Sequence, residues 1–298
     1  MRKYWILVIL LACFRGQAQE LFVSTEPASN PPAGSMGVTL TSKLFQMNHD
    51  GLFEGYRISP GIMIGINKRL MIHIEGYGSN IFQHNFRVEG GSIYGKYRFF
   101  SKDAVHKHFR VAAFAKLALV KNPEVLETTH KHLIPDGNGG FIVHDLLVFS
   151  ESDDLDLEGN TSGMTAGFVA TKLINKLAAS ISFGYSKRIN NIDYKSPSYQ
   201  AKNALTYTAS TGYLLFPGQL INYQQLNCNI YLEVLGSSLT DKHLYFIDMA
   251  PAVQFIIHSI ARIDFCYQSQ IAGNTNRLCN NLFLLRMEYN LLSVFGKK

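Results

Sequence analysis

From residue 36 onward the chain alternates apolar and polar residues in stretch after stretch, and this period of two constrains its fold more than any other feature. Leu177–Arg188 is the plainest case. Leu177, Ala179, Ile181, Phe183 and Tyr185 occupy odd positions; Ala178, Ser180, Ser182, Gly184 and Ser186 occupy even ones. Successive side chains of a strand point to opposite faces, so the segment separates an oily environment from a polar one. Leu226–Val234, Arg262–Gln270, Phe283–Phe295 and Ile72–Gly78 repeat the pattern. Twelve strands are predicted: 36–46, 54–66, 70–81, 90–100, 108–120, 161–173, 177–190, 203–215, 226–236, 244–257, 261–271 and 280–295. Most run to about ten residues or more, enough to cross a bilayer at a tilt, whereas soluble strands average about five or six. The fold class predicted is all-β: a transmembrane antiparallel up-and-down β-barrel.

Link lengths give an independent test, since such barrels alternate short turns with longer loops. With the N-terminus in the periplasm, the predicted periplasmic links are 67–69, 101–107, 174–176, 216–225 and 258–260. The outer links are 47–53, 82–89, 121–160, 191–202, 237–243 and 272–279. Only 216–225 blurs the contrast. Outward aromatics group in two belts: Phe99, Phe109, Tyr213, Phe255 and Phe295 at one rim, Tyr56, Tyr185, Tyr207 and Tyr245 toward the other. Amphipathic rings favour the two membrane interfaces. Charged residues are 17% of the chain, against about 25% in ordinary soluble proteins. A soluble sandwich or lipocalin-like barrel would need a charged outer face, which these strands lack.

Ahead of the strands, Arg2 and Lys3 precede an uncharged run, Tyr4–Phe14, and then Gly16-Gln17-Ala18. This reads as a secretory signal peptide, residues 1–18, too short to span as a helix. The rival is a lipoprotein box at Leu10-Leu11-Ala12-Cys13, which would lipidate Cys13. Removing Arg2, Lys3 and Arg15 with the leader lowers the formal charge from +6 to +3. The basic balance is then no argument for a nucleic-acid partner. Cys228, Cys266 and Cys279 remain, without disulfide or zinc spacing.

Two stretches carry a resemblance. One is Leu21-Phe22-Val23-Ser24-Thr25-Glu26-Pro27-Ala28-Ser29-Asn30 running into Gly37-Val38-Thr39-Leu40. The other is Glu89-Gly90-Gly91-Ser92-Ile93-Tyr94-Gly95-Lys96-Tyr97-Arg98-Phe99, followed by His106-Lys107-His108-Phe109-Arg110. The mature chain, 19–298, resembles a family of uncharacterised Bacteroidota outer-membrane β-barrels, distantly similar to transporter-like barrels of aromatic-compound pathways. The resemblance implies a location in the bacterial outer membrane. It also implies outer-membrane lipid, lipopolysaccharide and the barrel-assembly machinery as partners. It carries no catalytic residues. The last strand resembles an assembly signal ending on Phe295, but Gly296-Lys297-Lys298 follow it.

Side-chain parity assigns to the lumen Lys43, Arg57, His73, Glu75, Lys96, Arg98, Arg110, Lys116, Glu233, Asp248, Arg262, Asp264, Arg286 and Glu288. Basic groups outnumber acids, and rings of charge set selectivity, so one reading is a channel for small polar or anionic solutes. The other is a salt-bridge network that plugs the lumen of a structural or surface-interaction barrel, for twelve strands lie between a filled barrel and an open porin. In the 121–160 loop, Pro135-Asp136-Gly137-Asn138-Gly139-Gly140 predicts a hairpin above the membrane, or, if it entered the bilayer, fourteen strands in the barrel. Glu151, Asp153, Asp154, Asp156 and Glu158 read as a solvated acidic loop, with divalent bridging to lipopolysaccharide as the alternative; Thr165 stands where an EF-hand needs Glu. The pairs His106/His108 and His130/His132 read as polar loop residues rather than metal ligands. No cofactor, metal site or catalytic residue is predicted. A lipid-modifying enzyme is the third function class, without a Ser/His motif specific enough to name.

Overall fold

The computed structural model describes residues 22–47, 53–82, 85–105, 107–123, 125–135, 141–217, 225–292 and 294–295; the side chains of 47, 53, 54, 125–135 and 141–151 are outside the description. The leader, Cys13 and His106 therefore fall outside the described residues, as do the side chains of His130, His132 and Glu151.

Twelve antiparallel strands close a barrel: β1 (Met36–Met47), β2 (Phe53–Gly65), β3 (Leu70–Ser79), β4 (Arg87–Ala104), β5 (Lys107–Val120), β8 (Gly163–Ile174), β9 (Leu177–Arg188), β10 (Asn203–Phe216), β11 (Leu226–Leu239), β12 (Leu244–Ile257), β13 (Ala261–Gly273) and β14 (Cys279–Leu291). Closure is made by β1 and β14, whose register runs from Met36 opposite Leu291 to Met47 opposite Cys279. No sheet edge is left in the barrel, the condition a spanning sheet must meet because lipid offers no hydrogen bonds. The remaining strands, β6 (Val125–Pro135) and β7 (Phe141–Glu151), pair only with each other. The hairpin inside the 121–160 segment is thus a separate two-stranded sheet, and the barrel has twelve strands rather than fourteen.

Burial follows the sequence period. In β9 exposed and covered residues alternate from Leu177 to Arg188, and Ile181, Phe183 and Tyr185 stand outward. Such an apolar outer band suits a bilayer, where each outward Leu or Phe keeps roughly 1.5–3 kcal/mol that water would take from it. One departure comes from a register shift between Arg98 and Phe100. It turns both Phe99 and Phe100 outward, as a bulge does by leaving one residue unpaired.

Links 101–107 and 237–243, the latter cut to 240–243, and the end of β14 differ from the sequence reading. The 101–107 link shrinks to a tight turn, because Asp103 pairs with His108 and Ala104 with Lys107. These strand ends are polar and exposed, and a ladder outside the apolar band needs no alternation, so periodicity alone could not follow it. At the other terminus β14 stops at Leu291 rather than 295. The Phe295 N–H instead donates to the Gly34 carbonyl at 3.0 Å, tying the C-terminal stretch under the base of the segment that precedes β1.

Candidate functional site: the barrel interior

Among the described residues, two segments outside the wall occupy the lumen. The first is the N-terminal stretch 22–35. Its turn into β1 is set at Gly65, where the backbone passes so close that a Cβ would lie 2.2 Å from the Pro32 carbonyl oxygen. Gly34 and Gly65 exchange bonds there with their neighbours: Gly34 N–H to Gly65 O at 2.7 Å and Gly65 N–H to Ser35 O at 3.0 Å. Beyond this the segment crosses to the far wall. The N–H groups of Val23 and Ser24 each donate to Glu233 Oε1 at 2.8 Å, and Thr25 N–H donates to Oε2 at 2.9 Å. Ser210 Oγ adds a fourth donor at 3.1 Å. Glu233 is fully buried, and a buried carboxylate is tolerable only when its lone pairs are met in this way. Phe22 packs edge-on to Tyr231 with ring centroids 5.5 Å apart.

The middle of the same segment is held by β4, β5 and β8. Buried Lys96 donates to the carbonyl oxygens of Pro27 and Ser29 and pairs with Glu26 at 3.4 Å. Ala28 N–H donates to Thr171 Oγ1 at 2.9 Å. Arg110 reaches Ser29 Oγ at 2.8 Å while paired with Asp103 at 3.1 Å. Burial would raise the Glu26 carboxyl, but Lys96, His73, Arg286 and Arg262 outweigh it and hold the group below its ordinary range.

The second insertion is the arm 152–162, between the hairpin and β8. Here the sequence reading needs correction: the acidic cluster is not a solvated loop. Asp153 pairs with Lys242 at 2.7 Å, and Asp154 with Arg277 at 3.2 Å. Arg188 donates to the Asp154 carbonyl at 2.8 Å. Arg57, itself paired with buried Glu89 at 2.9 Å, donates to the Glu158 carbonyl at 3.1 Å and to Asn160 Oδ1 at 2.7 Å. Gly159 lies directly under Arg57 at φ +117°, where a Cβ would stand 2.6 Å from Arg57 Nε. The Glu158 carboxylate pairs with Lys43. Leu155 and Leu157 bury against Ala118, Ala201, Ala204 and Leu239, giving the arm an apolar anchor between its charges. The cluster is acidic because the barrel mouth is basic; the two signs sit far apart in the chain and meet only on folding.

The environments of the arm's acids differ. Burial pushes the Asp154 carboxyl up to about 6, against the pull of Arg277. The Lys43 ammonium, helped by Lys116 and opposed by burial, holds the Glu158 carboxyl well below the usual carboxylate range.

Between the two insertions lie two adjoining chambers of about 300 and 210 Å³. Lys43, Lys116, Glu158 and Arg286 line both; His73 and Glu75 line the smaller. Asp248 and Arg277 pair at 2.8 Å beside the arm. Arg262 joins Asp264 at 3.1 Å to Glu288 at 2.9 Å within the wall. Arg98 lies near the short-turn rim, where it donates to the Lys68 carbonyl. Apart from Arg98, the predicted lumen residues thus fall into four settings: around the N-terminal segment (Lys96, Arg110, Glu233), under the arm (Arg57, Asp248), in a wall cluster (Arg262, Asp264, Glu288), and around the chambers (Lys43, His73, Glu75, Lys116, Arg286). Sequence reasoning missed Glu26, Glu89, Arg188 and Arg277. Arg188 shares parity with Ser186 and could have been found. Glu89 is the residue left unpaired at the register shift of the β3–β4 ladder, and Glu26 and Arg277 lie in stretches without periodicity.

No known protein family matches the chain, and no curated protein matches it in sequence. Among solved structures, an outer-membrane channel from Pseudomonas putida F1 aligns over 91% of this chain and 100% of its own at 9% identity, with a TM-score of 0.52. The β domain of the Bordetella autotransporter BrkA aligns over 87% of this chain and 99% of its own, at 12% identity and TM-score 0.41. What the first likeness shows is the fold, a closed antiparallel barrel of the outer-membrane kind.

Proposed function

We propose that the protein is an outer-membrane channel for small polar or anionic solutes, held closed by two inserted segments. The observation that carries this reading is the pair of chambers between them, into whose largely apolar linings charged side chains project. A lumen meant only to be filled would have no use for water-sized space lined by Lys43, Lys116, Arg286 and Glu158. The N-terminal segment closes the short-turn end, taken as periplasmic; the arm closes the long-loop end, taken as the cell surface. Passage requires at least one to move. The arm is the more movable, since two of its ion pairs are partly open to solvent (Lys43–Glu158 and Lys242–Asp153).

Planar-bilayer recording of the purified full-length protein tests this. Small, infrequent conductance steps are expected from the wild type, with larger and persistent ones after deletion of residues 153–160. If wild type and deletion are both silent to ions while migrating as folded, heat-modifiable barrels, the channel reading fails. That outcome would favour a structural barrel, a reading supported by the buried bonding of the N-terminal segment to Glu233.

A further inference from the structure

We propose that Glu158 occupies, as a tethered stand-in, a site built for the carboxylate of a small hydroxylated monoanion. The inference rests on the channel reading and names the substrate class of the same interior. Glu158 belongs to the arm rather than the wall, yet its carboxylate is delivered among three cations of the wall: Lys43 on β1, Lys116 on β5 and Arg286 on β14. Lys43 pairs with it directly. Its side chain keeps 51% of its surface open, although the residue sits inside the barrel. The space it opens on is the pair of chambers it lines. A purely structural ion pair gains nothing from such space, because water there competes for both partners.

The charge count points the same way. Around the smaller chamber Lys43, Lys116 and Arg286 face Glu26, Glu75 and Glu158. With the arm in place the six charges of this lining balance, leaving aside His73 and Lys96, which pairs with Glu26 outside it. Withdrawing Glu158 leaves one positive charge uncovered, so the vacated site calls for one negative charge. The rest of the lining is rich in hydroxyls: Thr41, Ser59, Ser92, Ser182, Thr206 and Thr208. Such walls exchange hydrogen bonds with a polyol as readily as with water. A hydroxylated monocarboxylate satisfies both requirements, and its entry would displace the arm by competing for the same cations.

The test compares D-gluconate with D-glucose, which have six carbons and five hydroxyls each; gluconate alone is charged, and it is an open chain where glucose is a ring. Binding is measured by calorimetry on the detergent-purified full-length barrel at neutral pH. Glu158→Gln is expected to bind gluconate at least ten-fold more tightly than wild type, with glucose unchanged. Adding Lys43→Met to Glu158→Gln should abolish the gain. Equal gluconate affinity in wild type and Glu158→Gln overturns the proposal. So does a matching gain for glucose, which would mean that the arm had merely loosened, or a gain that survives Lys43→Met. Bilayer recordings on the same samples separate the two readings. Gluconate binding in a barrel silent to ions sinks the channel and spares the site, whereas conduction without the gain sinks the site alone.

Discussion

The two segments that fill the lumen differ in the balance of what holds them. The N-terminal stretch is bound through its backbone: three consecutive N–H groups on one fully buried carboxylate, and two carbonyls on one buried ammonium. The arm is held through side-chain charges as well as backbone carbonyls and buried leucines, and two of its ion pairs are partly exposed. Backbone capture is indifferent to side-chain identity and is shielded from salt. Charge capture at a wet mouth is weaker and adjustable. For the proposed channel, the difference would give the N-terminal stretch lasting closure and the arm movement.

The largest break in that comparison should come from Glu233→Ala. It orphans the N–H groups of Val23, Ser24 and Thr25 at once, and removing one side of a buried charged network costs about 3–5 kcal/mol. Hydrogen exchange at residues 23–25 should accelerate by orders of magnitude while the arm stays protected. Slow exchange there in the variant would show that packing of Phe22 and Val23, not the carboxylate, holds the segment. Arg277→Met should come next, at roughly 3 kcal/mol, because it leaves buried Asp248 and Asp154 without their cation. It should raise open probability in bilayers and leave exchange at 23–25 unchanged.

pH separates the segments by sign. The Asp154 carboxyl has a docked value of about 6, above its ordinary 3.8. Its contribution therefore favours docking at low pH and fades as pH rises through about 6. Acidifying from pH 7 to 5 should tighten the arm by about 1 kcal/mol, read as lower open probability. Glu26 runs the other way: its carboxyl is held below the ordinary value, so its contribution is present above that value and lost as pH falls through the docked one. Exchange at residues 23–29 should rise only in the more acidic range. Smallest is the effect of salt. Raising ionic strength from 0.1 to 1 M shortens the screening length from about 10 to 3 Å. It should loosen the arm by a fraction of a kcal/mol, while exchange at 23–25 stays constant; equal loosening of both would erase the difference between the two segments.

The sequence by itself determined the wall. Leu177–Arg188 alternates because one face meets lipid and the other the lumen, and a strand records that contrast locally, residue by residue. The same local rule carried Lys43, Lys96, Lys116, Glu233 and Arg286 to the inner face. What fills the lumen was decided only by tertiary structure. Residues 22–35 have no period, since they bind through backbone groups that every residue carries. The acidic run 153–158 looks identical whether it faces water or a basic mouth. Its partners Lys43, Arg57, Lys242 and Arg277 stand on other strands and loops, brought within reach only when the barrel closes. Alternation is a short-range imprint of environment; ion pairing across a closed lumen is a long-range consequence of topology, and no local pattern in the chain records it.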